Sequence, residues 1–287
     1  MSMRTAVTGL NASQTELSTI ANNIANAATT GFKASRTEFA DIYSADARGT
    51  TPGTGVRVAA VTQVMKQGGL EFTGNTLDLA INGNGFFMVK DGDSTSYTRA
   101  GNFRLDTSGN IVNSSGDKLQ FFLPTTPVAD QENEDAMTTT FESGDGKPFT
   151  AIDANQPLEI TSGTPPVTTS YPVTRLDIDN LGVLRATYSN GSIRALGQVV
   201  VATFPTPSNL AQLGDTTWGA TFGSGTAQLA APSVGDRGTI ESGALEASNV
   251  EITEQLVDMI TAQRNFQANA KMITTSDQIA QTVINIR

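Results

Sequence analysis

The sequence predicts a mainly β middle region inserted between N- and C-terminal α-helices that pair as a coiled coil, giving an elongated subunit. Three observations predict this class. Apolar residues recur every seven positions at both ends of the 287-residue chain. The middle alternates short apolar runs with Gly- and Asn-rich turns. The terminal segments are long and nearly free of helix breakers, so they extend beyond what a small β region could cover.

The N-terminal helix is predicted over residues 1–30 from two columns of residues spaced by seven. The first column is Met3, Leu10, Leu17 and Ile24, and the second is Ala6, Ser13, Ile20 and Ala27. Such a/d columns are typical of packing along a partner helix. Arg4 and Glu16 are the only charges before Lys33. We therefore expect a helix enclosed by other helices, although an ordinary amphipathic helix on a globular core fits this segment equally well.

The C-terminal helix is predicted from about Leu245 to Ile286, with Ser248 or Asn249 as its cap. Roughly 38 residues at about 1.5 Å each give a rod near 57 Å long. Its sevenfold column is Leu245, Ile252, Met259, Phe266, Ile273 and Ala280. The side chains that we expect to form an assembly interface along the two helices are Met3, Leu10, Leu17, Ile24, Ile252, Met259, Phe266 and Ile273.

The middle of the chain predicts β structure outside an extended arm. Turns such as Asn82–Gly85 separate short apolar runs, and Asn190-Gly191 predicts a hairpin. The acidic, Pro-containing stretch 126–170 predicts an exposed loop or a small outer domain. The predicted division is 1–32 with 245–287 as the helical domain, 33–70 as the arm, 71–124 with 196–244 as a β domain, and 125–195 as a small outer β domain or insertion.

Composition argues against catalysis and against nucleic acid as a partner. The chain has no histidine and no cysteine, which excludes His-based triads, disulfides and Cys–metal clusters. A net charge of −10 is unsuited to binding phosphates. We therefore expect a protein that is not an enzyme, with no catalytic, cofactor-binding or metal-binding residues.

Three short motifs that resemble chemical sites are better explained as turns. Gly53-Thr-Gly55 lacks the remainder of a phosphate loop, and Ser115–Lys118 contains Gly116-Asp117 instead of a helix start. Asp91-Gly-Asp93 lacks the distal carboxylates of a calcium loop. The start of the chain has no apolar stretch of the length of a secretory signal, and no run approaches 18 apolar residues, so we expect no membrane insertion.

Two segments resemble the bacterial flagellar rod and hook proteins. The first is Asn22-Asn-Ile-Ala-Asn-Ala-Ala-Thr-Thr-Gly-Phe-Lys33, and the second is 242–250 with Leu256–Lys271. Residues 74–87 and 97–103 resemble the family as well. The resemblance covers about 1–124 and 196–287. The signature residues it assigns are Asn22, Asn23, Ile24, Ala25, Asn26, Gly31, Phe32, Lys33, Gln263, Arg264 and Asn265.

Within this family the C-terminal segment favours a hook subunit. Ala262–Ala270 and the terminal Ile284–Arg287 resemble the hook version, whereas distal-rod proteins usually have Tyr-Glu-x-Asn-Ser-Lys at that place. Hook proteins generally carry a larger outer domain than 125–195 provides. The short outer region therefore keeps a distal-rod subunit as the alternative.

The resemblance implies an axial structural subunit that polymerises with itself into a helical tube linking rod to filament and transmitting torque. Implied partners are the rod, hook-cap and hook–filament junction proteins. Export through the flagellar type III apparatus, without a cleaved signal, would place the protein in the extracellular hook or basal body. From the residues alone, a secreted binding module or glycan-active β protein with helical ends is the rival class, and sedimentation at rising concentration would separate the two.

Overall fold

A computed structural model describes residues 2–42, 53–125, 141, 149–162 and 167–285. The chain divides into two compact units. Unit 1 comprises Met1–Ala28, Lys33–Lys66 and Ser248–Arg287, and unit 2 comprises Thr29–Phe32 and Gln67–Ala247. The terminal helices and the mainly β middle are confirmed. The four-part division proposed from the sequence stays a prediction, and most of the acidic stretch within 126–148 lies outside the described residues.

Unit 1 contains two helices and one β-ribbon. Helix α1 spans Ser2–Ala25 and helix α2 spans Ile252–Asn285. Strands β1 (Ser35–Asp41) and β2 (Val56–Gln63) pair antiparallel, with a register shift between Glu38 and Phe39. The predicted arm therefore contains a β-ribbon on both sides of the residues 43–52 that are not described.

Both helices are shorter than the sequence predicted. Helix α1 ends at Ala25 because a turn follows, in which the Asn26 side-chain amide donates to the Asn22 carbonyl (3.0 Å). Leu245 fits the sevenfold column of α2 but lies in a strand, Ala244–Glu246, opposite Glu71. Seven more residues separate it from the start of the helix. Neither Ser248 nor Asn249 adjoins that start.

Unit 2 is built from twenty short strands in chain order. They are β3 (Leu70–Phe72), β4 (Leu79–Asn82), β5 (Phe86–Asp91), β6 (Ser94–Thr98), β7 (Arg104–Leu105), β8 (Ile111–Val112), β9 (Lys118–Leu119), β10 (Phe121–Phe122), β11 (Phe149–Thr150), β12 (Leu158–Ser162), β13 (Val167–Tyr171), β14 (Val173–Ile178), β15 (Val183–Tyr188), β16 (Ile193–Val199), β17 (Val201–Thr203), β18 (Ala211–Gly214), β19 (Thr217–Gly219), β20 (Gln228–Ala230), β21 (Thr239–Ser242) and β22 (Ala244–Glu246). A 3-10 turn at Pro207–Asn209 precedes β18.

Two larger sheets organise these strands. One has nine strands, with the path β18-β19-β6-β5-β9-β8-β7 and β17 pairing both β5 and β20. The other has five strands, in the order β11-β10-β16-β15-β14. Two-stranded ladders join β12 to β13, β21 to β4 and β22 to β3. The pairs β21–β4 and β22–β3 bring the two sequence-distant parts of unit 2 together, since their strands are about 160 or more residues apart.

The predicted hairpin and turns have physical reasons that the structure makes explicit. Strands β15 and β16 are antiparallel around Asn190-Gly191, and Gly191 has φ +83°, which suits glycine. Gly116 has φ +95° in the turn between β8 and β9, so Ser115–Lys118 is a turn, as predicted.

One hydrophobic core spans the two larger sheets of unit 2. Its members are among the most buried residues of the chain and include both apolar partners of the β21–β4 ladder. Representative buried members are Leu79, Ile81, Phe87, Val89, Leu119, Phe121, Leu184, Val199, Val201 and Ile240. Trp218 is also buried, edge-on to the Phe86 ring at 5.7 Å between centroids. Unit 2 therefore buries its large apolar side chains within itself.

A buried ion pair closes unit 2 at its C-terminal strand. Arg99 Nη1 lies 3.0 Å from Glu246 Oε2, and both side chains are almost fully buried. Arg99 Nη2 also donates to the Gly83 carbonyl (2.9 Å), while Glu246 Oε1 accepts from the Gly68 N–H (2.9 Å). Burial lowers the pKa of Arg99, and the Glu246 carboxylate opposes that shift. This pair is a polar closure whose parts depend on each other.

Candidate assembly interface

The two helices of unit 1 pack against each other in antiparallel directions. Asn23 Nδ2 donates to Gln255 Oε1 (2.9 Å) near one end. Near the other end, Gly9 lies so close to Asn269 that an added Cβ would come within 2.8 Å of its Nδ2. Partner numbers on α2 therefore rise as those on α1 fall. The close approach at Gly9 also requires a residue without a side chain.

The side of α1 that is buried is made mainly of small and polar residues. Buried positions are Ala6, Ala12, Ser13, Ile20 and Asn23. Ala6, Ser13 and Ile20 are three members of the second sevenfold column. The first column is more open: Leu10, Leu17 and Ile24 are partly buried, and Met3 is exposed.

The shielded side of α2 follows a regular 4–3 spacing. Only Ala262 on this helix is fully buried, at 1% exposure. The positions that are partly or fully shielded and keep the spacing are Gln255, Met259, Ala262, Phe266, Asn269, Ile273 and Ser276. Three predicted interface residues, Met259, Phe266 and Ile273, belong to this stripe, whereas Ile252 is exposed. Their assignment to an assembly interface stays a prediction.

The remaining surface of α2 is unusually apolar for an exposed helix. Exposed fractions run from 47% at Leu256 to 72% at Ile284. The exposed large apolar residues of α2 are Ile252, Leu256, Val257, Ile260, Met272, Ile279, Val283 and Ile284. Large apolar surfaces that remain exposed mark interaction sites on many proteins. The sequence did not distinguish these residues from the α1-facing stripe, because both keep helical spacing.

The signature residue Asn23 joins α1 to the start of the β-ribbon. Its side-chain amide donates to the Ser35 carbonyl (2.8 Å) and accepts from the Ser35 N–H (2.9 Å). With the bond to Gln255, three hydrogen bonds fix this 2%-exposed side chain. The neighbouring Asn22 is exposed, and its carbonyl accepts from Asn26.

Lys33 and Asn249 fasten the other side of the ribbon. Lys33 is 1% exposed, and its Nζ donates to the Lys66 carbonyl (2.8 Å). Asn249 Oδ1 accepts from the Ala34 N–H (2.7 Å), while its Nδ2 donates to the carbonyls of Val64 (2.7 Å) and Lys66 (2.9 Å). The sequence considered Asn249 only as a helix cap. Its presence in the 242–250 motif was the signal for a larger role.

The other signature residues separate into positions with structural constraints and exposed positions. Gly31 has φ +69°, and a Cβ there would meet the Ala100 backbone nitrogen at 2.5 Å, so this position requires glycine. Phe32 is buried within unit 2. Ile24 and Asn26 are partly buried. Ala25, Gln263, Arg264 and Asn265 are exposed.

A cleft of about 390 Å³ opens in unit 1 between α1, the start of α2 and the ribbon. Four carboxylates line it, those of Glu16, Glu251, Glu254 and Asp258, against the two cations Arg36 and Lys66. Burial raises the pKa of Glu16, and the negative charge of Asp258 raises it further. The cleft is therefore a region of uncompensated negative charge.

Three family models match the chain, in the same order as its parts. Flagella basal body rod protein matches residues 3–33, Flagellar hook protein FlgE/F/G D1 domain matches 80–201, and Flagellar basal body rod FlgEFG protein C-terminal matches 241–286. The chain is 31% identical to Flagellar hook protein FlgE of Escherichia coli (strain K12) over 406 aligned positions, which cover all of both chains. The chain belongs to the flagellar hook and basal-body rod protein family.

A second group of relatives in this family is named for the rod. Identity is 33% over 300 aligned positions with Flagellar basal-body rod protein FlgG of Bacillus subtilis (strain 168), covering all of this chain and 98% of the relative. With FlgG of Agrobacterium fabrum (strain C58 / ATCC 33970) it is 31%, over 97% and 96% of the two chains. Members of this family are structural components of the flagellum and not enzymes. Among the described residues, no helix is long and apolar enough to cross a membrane.

Proposed function

We propose that this chain is a structural subunit that polymerises with copies of itself into the tube of the flagellar hook. The observation that carries the proposal is the exposed apolar surface of α2. At roughly 25 cal/mol per Å² of apolar area, covering eight large side chains in every copy is a substantial driving force for association. The stripe that faces α1 is already occupied, so a further partner is needed to cover the rest.

The composition of the two helices supports dense enclosure by neighbours. Buried positions on α1 are small, and Gly9 admits close approach to Asn269. In water, a helix that exposes Ile279, Val283 and Ile284 leaves favourable burial unused. In this proposal the helices α1 and α2 continue their packing with those of other copies in coiled-coil fashion, and the β unit needs no such cover.

The hook assignment depends on the C-terminal segment. Residues Ala262–Ala270 resemble the hook version of the family signature, and the N-terminal motif Asn22–Lys33 is common to rod and hook proteins. Rod, hook-cap and junction proteins would then be neighbours at the two ends of the tube. Type III export without a cleaved signal would deliver the chain to it.

A distal-rod subunit is the second candidate, and one observation favours it. Alignment with E. coli FlgE runs over 406 positions against the 287 residues of this chain, so that relative carries long stretches that this chain lacks. Alignment with B. subtilis FlgG needs only 300 positions. Chain length therefore matches the rod relative, while the C-terminal residues resemble the hook.

Electron microscopy of isolated hook–basal bodies labelled with antibodies to unit 2 would test the assignment. A hook subunit would be labelled along the curved segment outside the cell envelope. Label confined to the rod would favour the second candidate. Sedimentation of purified protein at rising concentration gives the independent test of self-assembly, since a chain that stays monomeric under all conditions contradicts both candidates.

A further inference from the structure

The charges of α2 are segregated along its exposed surface. Its first two turns carry Glu254 and Asp258, and the next turns carry Arg264 and Lys271. All four side chains are exposed. Because acid precedes base along one helix, the surface of α2 has a polarity that uniform solvation does not require.

The acidic and basic residues lie on two different stripes of the helix. Val257, Arg264 and Lys271 are spaced by seven, so they share one stripe. Asp258, Asn265, Met272 and Ile279 form an adjacent stripe by the same spacing, and Glu254 lies one turn before Asp258. Neither stripe is the one at Met259, Ala262 and Phe266 that faces α1. Each stripe also pairs a charged half with an apolar half.

These charges do not neutralise each other within one chain. Arg264 lies 10 residues after Glu254, about 15 Å along the helix, and Lys271 lies 13 residues after Asp258, about 20 Å. In the part of the chain that the structure describes, neither acid is ion-paired to either base. The acids line the 390 Å³ cleft, which has room for side chains from outside. A rigid helix cannot fold back on itself, so the complementary partner must belong to another molecule.

We propose that Arg264 and Lys271 of one copy dock against Glu254 and Asp258 of a parallel second copy, staggered by about 15–20 Å along the helix axis. This inference rests on the proposed function, because it names the contact through which copies associate. The contact is heterologous, since each copy offers a basic stripe and an acidic stripe to two different neighbours, and such contacts propagate into helical assemblies.

The charges set the register of association more than its strength. Exposed ion pairs contribute little individually, and salt screens them. Side-by-side packing without the stagger would instead place Glu254 and Asp258 against the apolar Val257 and Ile260, leaving the carboxylates unpaired. Penalising wrong arrangements is how charge produces specificity. Apolar burial on α2 then supplies the affinity.

Charge reversal tests the contact directly. One variant carries Glu254→Lys and Asp258→Lys, and the other carries Arg264→Glu and Lys271→Glu. Each variant alone opposes like charges at the contact, so we expect at least a tenfold higher protein concentration to be needed for polymers in sedimentation. An equimolar mixture restores both complementary contacts and should polymerise near the wild-type concentration. The quadruple variant, with both stripes reversed in one chain, should also polymerise.

Two controls keep the result interpretable. Asp91→Lys with Asp93→Lys reverses two exposed acids in unit 2 and should leave assembly unchanged. The quadruple variant and the mixture contain the same substitutions as the failing variants, so their assembly excludes misfolding as the cause of failure.

Each remaining outcome bears on one proposal only. Variants that polymerise alone like the wild type, or a mixture and quadruple variant that both fail, would overturn this contact while leaving the proposed function intact. A wild-type chain that never polymerises would instead overturn the proposed function.

Discussion

Unit 2 and unit 1 treat their apolar side chains in opposite ways. In unit 2 the large residues Phe87, Phe121 and Leu184 are fully buried, and even the charged Arg99 is enclosed with a partner. In unit 1 helix α2 has one fully buried residue, Ala262, and exposes eight large apolar side chains. A unit that buries its apolar surface can fold by itself, whereas one that exposes it gains its remaining stability from association.

The difference extends to the buried polar groups. The Arg99–Glu246 pair is satisfied entirely within unit 2. In unit 1 the hydrogen bonds of Asn23 and Asn249 fix the base of the ribbon, and the exposed face of α2 stays without such bonds to complete it. We therefore expect substitutions in the two units to have separable effects, on folding in one and on assembly in the other.

The largest expected effect is the loss of assembly in Phe266→Asp. This substitution places a charge in the shielded stripe of α2, and an unpaired buried charge costs several kcal/mol in each subunit. Polymers should be absent in sedimentation while the melting transition of unit 2 is unchanged. Phe222→Asp is the control, because Phe222 in unit 2 is fully exposed and its replacement should change neither property. A collapse of the unit 2 transition in Phe266→Asp would contradict the separation.

The next effect is expected inside unit 2, from Glu246→Gln. Removing one charge leaves the Arg99 guanidinium buried without its counter-ion, which costs about 3–5 kcal/mol. Denaturant unfolding of unit 2 should show this loss. The double variant Arg99→Met with Glu246→Leu should regain part of it, because no charge then remains buried. Equal losses in the single and double variants would mean that packing, not charge pairing, holds this strand.

The sequence predicted the existence of both helices but not which side of each is buried. Sevenfold spacing is shared by the α1-facing stripe and the exposed stripe of α2, so periodicity alone cannot separate them. It also extended α2 to Leu245, since that residue fits the column. The strand that Leu245 forms depends on pairing with Glu71, a contact across more than 170 residues that no local pattern contains.

The joint in unit 1 was accessible to sequence reasoning only through family resemblance. Asn23 and Lys33 belong to the recognised signature, but polar residues at a helix end predict many roles. Their partners Gln255 and Lys66 are distant along the chain. The glycine requirement at Gly31 likewise depends on the backbone of Ala100. Short β-runs and turns in unit 2 were predicted well because turn residues act locally.

A smaller effect is expected at the joint, from Asn23→Ala. The substitution removes three hydrogen bonds and leaves the Ser35 N–H without its partner, which costs about 1–3 kcal/mol. If assembly requires the joint, the protein concentration needed for polymers should rise roughly 5- to 150-fold. The neighbouring Asn22→Ala is the matched control, because Asn22 is exposed and only its backbone carbonyl is used. Equal effects at the two positions would contradict the role of the Asn23 amide.

The smallest effect is a pH-dependent gain from Glu16→Gln. The raised pKa of Glu16, due to burial and then to Asp258, means that ionisation opposes packing of α1 against α2. The penalty is absent below the ordinary pKa of 4.5 and grows as pH rises through the higher folded value. Glu16→Gln should therefore raise the helical melting temperature at pH 7 and not at pH 4, measured by circular dichroism at 222 nm. A gain of equal size at both pH values would mean that charge is not the cause.

Hydrogen exchange of the same chain as dilute monomer and as polymer tests the contrast between the two units most directly. If α2 depends on neighbours, its amides over Ile252–Asn285 should exchange rapidly in the monomer and become strongly protected in the polymer. The strands of unit 2, such as β5 and β16, should be protected equally in both states. Protection of α2 in the monomer equal to that of these strands would show that the helical unit is complete by itself, and would contradict the account.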